Sequence, residues 1–190
     1  CASKIDPFFG YFGYRFHPVN LKPRYFHIGI DIMAEAGATV HPIADGVLEY
    51  SGFSKINGNY AMISHSEITT QDGFILFSLY MHLDKFYFRF NLIQKVLREI
   101  GAKKFTTIPL SLENIIGEAG ATGNIRGLVP HLHLQLELRR KKEVIAIDPT
   151  KAIGLSAKEN LTANISSLAE FERFTSNNKD RLKSWAKLWR

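Results

Sequence analysis

A chain of 190 residues is long enough to bury one sizeable core, and its 45% hydrophobic and 22% charged residues are ordinary for a globular protein. The formal net charge of +6 favours anionic partners such as wall polymers, anionic lipid or nucleic acid. Nucleic acid is not expected, because the chain has neither an aromatic-plus-basic RNA motif nor a helix with a run of base-reading arginine and asparagine. A single cysteine excludes a disulfide framework.

That cysteine stands at position 1, which is typical of mature bacterial lipoproteins. In such proteins the cysteine is acylated after the leader is removed, and the lipid tethers the domain to a membrane. Cys1 is therefore a candidate lipidation site. The alternative is a chain end with no chemical role.

Residues 7–18, PFFGYFGYRFHP, combine several aromatic residues with glycines and prolines that interrupt any regular element. This composition predicts a packed surface loop. Tyr14 and Arg15 are candidates for contact with a substrate, whereas His17, just before Pro18, is interpreted as structural.

Residues 26–33, FHIGIDIM, place His27 and Asp31 four positions apart. The β-branched isoleucines argue against a helix, and in a straight strand the two residues would lie about 13 Å apart. A bend at Gly29 would bring imidazole and carboxylate together, and Zn²⁺ accepts both kinds of ligand. By itself the pair is common by chance.

The following segments predict antiparallel strands. Residues 38–53 indicate two short strands around a turn at 44–46, and residues 58–65 indicate a strand with His65 in the turn at its end. Residues 74–83 indicate a longer strand, in which His82 follows an apolar run and on local grounds resembles a core histidine. His41, which precedes a proline, is not expected to be a ligand.

Residues 131–138, HLHLQLEL, alternate without a break, as a strand does. The leucines share one face, and His131 and His133 share the other, about 6–7 Å apart along the strand. That spacing suits one histidine on a metal and the other beside the metal's open position. The alternative is a half-exposed strand whose polar residues face water.

Three further segments have helical spacing of apolar residues. After alternating phenylalanines at 86, 88 and 90, residues 84–110 predict one helix of about three turns, and residues 156–173 and 179–190 predict C-terminal helices. The last, basic and tryptophan-bearing, is expected to pack on the domain, with a membrane surface as the alternative. Residues 139–142, RRKK, predict an exposed hairpin turn.

Combined, the separate signals suggest one site. His27, Asp31, His82, His131 and His133 would supply three metal ligands and leave an open coordination position, which is the pattern of catalytic zinc. A structural zinc site would more commonly use cysteines.

In order and content, a series of motifs resembles the lysostaphin-type (LytM-domain) zinc metallopeptidases, which cut peptide bonds in bacterial peptidoglycan. The motifs are GYRFHP at 13–18, FHIGIDI at 26–32, PIADGVLEYSG at 42–52, GNYAMISH at 58–65, YMHL at 80–83, GATG at 120–123, PHLHLQLEL at 130–138 and DP at 148–149.

The resemblance implies a mainly β fold, an antiparallel sheet of the duplicated hybrid motif type, with an inserted helix and C-terminal helices. A metallopeptidase domain would span residues 1–150 with an insertion at about 84–110, followed by a helical extension over 151–190. One Zn²⁺ would be held by His27, Asp31 and His133, with His82 and His131 as the catalytic pair. Which of the pair acts as general base stays open.

The implied function is a zinc-dependent endopeptidase that cleaves peptidoglycan stem-peptide cross-links in the bacterial cell envelope, in the periplasm or at the cell surface. One alternative is a non-catalytic module of the same fold that binds the wall or activates another wall hydrolase. Another is a zinc hydrolase acting on a different peptide. Residues 84–110 depart from the family in length and are expected to form one wall of the substrate groove; a plug over the zinc and a helix behind the sheet are the alternatives.

Overall fold

The computed structural model describes residues 4–5, 10–15, 25–88 and 108–152, together with residues 95, 96, 99 and 173. Antiparallel strands dominate the described residues, which confirms the predicted mainly β fold. Helical elements with described bounds are a 3₁₀ turn, Gly123–Ile125, and a short α-helix, Pro149–Ala152. The strands are β1 (Lys4–Ile5), β2 (Gly13–Arg15), β3 (Tyr25–His27), β4 (Ile30–Met33), β5 (Thr39–Val40), β6 (Gly46–Ser54), β7 (Gly58–Thr69), β8 (Ile75–Leu83), β9 (Lys85–Phe86), β10 (Ile108–Leu110), β11 (Gly117–Glu118), β12 (His131–Arg140) and β13 (Glu143–Ile147).

The main sheet runs in the order β1-β4-β12-β8-β7-β6-β10. Strand β12 lies near its middle and pairs with β8 on one side. On the other side β4 lies beside its first half and β13 beside its second half. Two smaller sheets, β5-β11-β9 and β2-β3, complete the described strands.

Both faces of β12 are buried. Leu134 and Leu136 are 2% and 0% exposed and belong to the main hydrophobic cluster, as the alternation predicts. On the opposite face His131, His133 and Gln135 are also buried. The alternative of a half-exposed strand is therefore wrong, and the polar face of β12 is enclosed by protein.

The three-stranded sheet, β5-β11-β9, packs into the same core as the main sheet. Val40 of β5 and Ile116, just before β11, join Leu48, Ile63 and Leu83 in one buried cluster. Burying a side chain of this size contributes about 1.5–3 kcal/mol. This shared core positions the loop that follows β11, whose Gly120 and Thr122 carbonyl oxygens accept hydrogen bonds from His131 and His82.

One strand extends further than its sequence suggested. Strand β7 continues to Thr69, and His65 lies inside it, opposite Leu76 of β8. The prediction that His65 lies in a turn is therefore wrong. After His65 the register with β8 shifts, pairing resumes at Thr69↔Ile75, and the hairpin turn comes only at residues 70–74.

Several predictions fall on residues that the structure describes in part or not at all. In the segment 84–110, Phe86 and Phe88 pack partly buried against the core, and Lys95, Val96 and Glu99 are helical. The rest of that predicted helix, Cys1, His17 and the C-terminal helices except residue 173 lie outside the described residues. Within the part of the chain that is described, no helix has the length and apolar character needed to span a membrane.

Candidate active site

Three side chains from two regions of the sequence converge at one end of the main sheet. His27 Nε2 lies 3.0 Å from His133 Nδ1 and 3.3 Å from Asp31 Oδ1, and His133 Nδ1 lies 2.8 Å from the same carboxylate oxygen. All three residues are buried. Zinc bonds of about 2.0–2.2 Å in tetrahedral geometry separate neighbouring donors by roughly 3.3–3.6 Å. The observed separations of 2.8–3.3 Å lie at or somewhat below this range, and the donor types are those that a single zinc ion accepts.

The course of the backbone explains why these three side chains converge. His27 ends β3, Asp31 lies in β4, and the chain bends at residues 28 and 29 between them. Asp31 then lies opposite His133 in the β4–β12 ladder. A Cβ on Gly29 would lie 2.5 Å from the Leu134 carbonyl oxygen and 2.6 Å from His133 Nε2, so only glycine allows this close approach.

A backbone carbonyl sets the tautomer of His27. Its Nδ1–H donates to the Tyr11 carbonyl oxygen at 2.9 Å, which leaves a lone pair on Nε2 for a metal. Burial and the nearby Arg15 charge lower the pKa of His27 to about 4. The ring is therefore neutral at pH 7, which is the state that binds a metal.

Arg15 holds the carboxylate ligand from behind. Its guanidinium donates to Asp31 Oδ2 at 2.7 Å, while Oδ1 faces the two histidines. Burial alone would raise the pKa of Asp31, but the positive charge of Arg15 and the polar contacts with the His27 and His133 rings hold it well below its usual range. Asp31 is therefore ionised and oriented before any metal binds.

The structure thus places Arg15 behind a ligand, a contact that the sequence did not reveal. Tyr14, the other substrate-contact candidate, is 38% exposed and lies edge-on to the Phe26 ring at 5.1 Å. Substrate contact by either residue stays a prediction. The signal that was missed is the alternation of β2, which turns Tyr14 outward and Arg15 inward.

His82 and His131 lie beside the three ligands. Their ring centroids are 5.3 Å apart, and His131 Nε2 is 3.8 Å from Asp31 Oδ1. His82 Nδ1–H donates to the Thr122 carbonyl oxygen at 3.0 Å, and His131 Nδ1–H donates to that of Val129 at 2.9 Å. Each imidazole is thus fixed in the tautomer that leaves a basic Nε2.

Burial is the main cause that lowers the pKa of both rings. The pKa of His82 falls to about 3, with the charges of His133 and His131 as further causes. The pKa of His131 is also lowered. Both imidazoles are therefore neutral at pH 7.

A β-bulge aims His82 at the site. Between β7 and β8 the register steps from Asn59↔Leu83 to Ala61↔Tyr80, so β8 carries one extra residue. His82 has a φ of 64°, and its N–H donates to the Asn57 carbonyl oxygen at 2.8 Å. Bulges redirect side chains, and a left-handed conformation at a non-glycine residue costs about 1–3 kcal/mol. No local sequence pattern indicated this bulge.

The remaining described histidines lie outside the site. His41 is exposed, with Nδ1 3.3 Å from the Leu112 carbonyl oxygen. His65 is fully buried and bonded to the Asp45 carbonyl oxygen and Ser78 Oγ.

Comparison with known proteins agrees with this geometry. The sequence model of Peptidase family M23 matches residues 25–99. Peptidoglycan DD-endopeptidase ShyC of Vibrio cholerae is 27% identical over 165 residues, which cover 85% of this chain and 32% of ShyC. The chain therefore spans about a third of the length of that relative.

Two solved structures have similar folds. The catalytic domain of the antimicrobial peptidase lysostaphin from Staphylococcus simulans is 25% identical with a TM-score of 0.51, and the match covers 80% of this chain and 92% of that domain. A zinc-containing peptidase from Vibrio cholerae gives 25% identity and a TM-score of 0.51, covering 77% of this chain and 35% of that one. The resemblance and the fold type inferred from the motifs are confirmed.

Proposed function

We propose that this chain is a zinc-dependent endopeptidase of the lysostaphin type, in Peptidase family M23, and that it hydrolyses peptide cross-links in bacterial peptidoglycan. The observation that carries the proposal is the convergence of His27 Nε2, Asp31 Oδ1 and His133 Nδ1, with two neutral imidazoles beside them. The similarity to a peptidoglycan DD-endopeptidase supports the substrate class.

The donor set supports zinc as the metal. Two imidazole nitrogens and one carboxylate oxygen leave one tetrahedral position for water or substrate, as in catalytic zinc sites. Zinc bound there would act as a Lewis acid and lower the pKa of a water molecule to about 7. Arg15 contributes by keeping Asp31 ionised and by fixing which oxygen faces the site.

His82 and His131 would move the protons. Because each donates Nδ1–H to a backbone carbonyl, Nε2 is the atom that takes a proton from the attacking water. The imidazolium formed in this way becomes a donor, which can steady the oxyanion or protonate the leaving amine. The geometry supports either order of the two histidines.

Metal analysis combined with digestion of purified sacculi tests the proposal. We expect one zinc per chain and release of soluble muropeptides, with both lost after treatment with a chelator. The His131→Ala protein should keep its zinc and release nothing. Zinc without cleavage by the unaltered chain would instead support a non-catalytic wall-binding module.

We also propose that the protein works in the bacterial cell envelope, with Cys1 as a lipid anchor. Expressed with its native leader, the protein should partition into detergent, whereas a Cys1→Ser version should not. Equal partitioning of the two would contradict the anchor.

The domain division inferred from the sequence is likewise proposed: a peptidase domain over residues 1–150 and a helical extension over 151–190. Limited proteolysis should cut near residue 150 and leave a folded, zinc-binding fragment. A fragment that loses its zinc or its fold would contradict the division.

A further inference from the structure

A concave pocket of about 620 Å³ opens next to the catalytic histidines. Its volume lies within the range of about 300–1,000 Å³ that is usual for ligand sites. Residues 120–123 form part of its lining. The Thr122 carbonyl oxygen accepts from His82 Nδ1–H, and the Gly120 carbonyl oxygen accepts from the His131 N–H at 3.1 Å. A ligand in the pocket would therefore touch the same strip of chain that orients the His82 imidazole and is hydrogen-bonded to the His131 backbone.

Three charged side chains line this pocket: Lys55, Arg126 and Asp84, which leave it with a net charge of +1. Neither cation has a salt bridge to any carboxylate within the described residues. Elsewhere in the described structure Lys85 pairs with Glu118, at 3.0 Å. Two cations against one carboxylate, in a concavity beside the proposed catalytic site, favour an anionic ligand.

The turn that carries Lys55 is fixed to the strip behind the catalytic histidines. The Asn59 N–H donates to Thr122 Oγ1 at 2.9 Å, and that hydroxyl donates to the Leu83 carbonyl oxygen at 2.7 Å. Gly58, with a φ of 66°, packs so closely on Thr122 that a Cβ there would overlap it. The backbone of Lys55 therefore has a defined position relative to His82.

Arg126 is positioned by the 3₁₀ turn on the same strip. Its N–H donates to the Gly123 carbonyl oxygen at 3.3 Å, and the Asn124 N–H donates to the Ile56 carbonyl oxygen at 3.2 Å. The second bond ties the Arg126 turn to the Lys55 turn. The backbones that present the two cations are thus held together, which lowers the entropic cost of binding one anion between them.

We propose that this pocket binds a free carboxylate of the substrate peptide, with Lys55 and Arg126 as its counter-charges. Phe53, which is 63% exposed on the pocket wall, offers an apolar surface to the adjoining part of the peptide. The pocket would make the enzyme select cross-links that bear a carboxylate over amidated ones. The inference rests on the proposed function, since it assigns a specificity determinant to the same site.

The test uses the full zinc-loaded chain and two cross-linked stem-peptide dimers, one with free carboxylates and one with these converted to carboxamides. In the Lys55→Met/Arg126→Met protein, KM for the carboxylate dimer should rise roughly tenfold with kcat nearly unchanged. KM for the carboxamide dimer should not change. Lys142→Met, which removes a charge from the exposed β12–β13 turn, is the matched control and should alter neither value.

Binding by the inactive His131→Ala protein, measured by calorimetry, separates the two proposals. It should bind the carboxylate dimer more tightly than the carboxamide dimer, and adding both methionines should abolish that difference. If the unaltered chain cleaves neither dimer but this binding difference is found, the pocket assignment stands and the proposed activity falls. If the two methionine substitutions weakened binding of both dimers equally, or changed neither, the pocket assignment would be overturned. If the double variant does not fold, the single variants Lys55→Met and Arg126→Met are used for the same measurements.

Discussion

Two buried histidines on neighbouring strands, His65 of β7 and His82 of β8, look alike by several measures. They are 0% and 7% exposed, and burial is the main cause that lowers the pKa of each. Each donates Nδ1–H to a backbone carbonyl, that of Asp45 at 2.9 Å and that of Thr122 at 3.0 Å. The difference lies at the other nitrogen of each ring.

His65 uses both nitrogens inside the fold. Its Nε2 accepts from Ser78 Oγ at 2.8 Å, and Ser78 is also hydrogen-bonded to Tyr80, whose hydroxyl accepts from the Ile43 N–H at 2.8 Å. The His82 ring instead lies among the histidines of the site, 5.3 Å from His131 and 5.9 Å from His133. Burial and a lowered pKa therefore do not distinguish the proposed catalytic histidine from a structural one here, whereas the surroundings of Nε2 do.

The largest loss of activity is expected from substitution of the three proposed metal ligands. His27→Ala, Asp31→Ala and His133→Ala should each lose zinc and all measurable activity, because three ligands cannot spare one. Metal analysis and muropeptide release measure both effects, and His41→Ala, an exposed histidine, is the control. If His131→Ala lost the metal while His133→Ala kept it, the assignment along β12 would be reversed.

Next in size is the loss of His82 itself. His82→Ala should retain zinc while kcat falls about 10²–10⁴-fold, the usual contribution of a general acid or base. His65→Gln should retain both zinc and kcat, since its ring does not reach the site. A comparable fall in kcat for His65→Gln, with its fold and zinc intact, would erase the distinction between the two histidines.

A smaller effect concerns pH and stability. The pKa of His65 in the folded chain lies below its unfolded value of about 6.5, so its neutral form stabilises the fold above that pH. As pH falls below about 6.5 the unfolded chain takes up a proton that the buried ring resists, and this stabilisation is lost. The free energy of unfolding of the metal-free wild type, from urea titrations, should thus exceed that of His65→Gln most at pH 8 and by less at pH 5.5. A gap that widened on acidification would contradict the sign.

The smallest expected effect concerns the backbone conformations of His82 and His65. Because a Cβ disfavours the positive φ of residue 82, the free energy of unfolding of the His82→Gly protein should exceed that of the His82→Ala protein by about 1 kcal/mol. The φ of His65 is not positive, so there the His65→Ala protein should be more stable than the His65→Gly protein, by about 0.5–1 kcal/mol. Urea denaturation of the four proteins measures both differences, and the same order at both positions would argue against a bulge at His82.

Much of the site was predictable because its ligands lie on short, regular stretches. The spacing of His27 and Asp31 required a bend, and Gly29 between them marked where it falls. The alternation of β12 placed His131 and His133 on one face before any fold was known.

The rest depended on pairings between distant segments. The bulge at His82 comes from the register between β7 and β8, and the Arg15–Asp31 pair depends on how β2 packs near β4. The position of His65 was misjudged because β7 continues past it, through a register shift, to a further pairing of Thr69 with Ile75 of β8. None of these pairings can be predicted from the local pattern of residue types.

The close approach at Gly29 also bears on how inactive descendants of such a chain would be recognised. A methyl group at this position would meet both the Leu134 carbonyl oxygen and the His133 ring, and the ring could escape only by leaving the other ligands. A gene that kept all five site residues but had acquired alanine here would then encode a chain in which the strand backbone or the His133 ring must shift, so that the three proposed ligands no longer converge. Counting histidines and aspartates in an alignment would class that gene as intact, so the codon for Gly29 has to be checked alongside them.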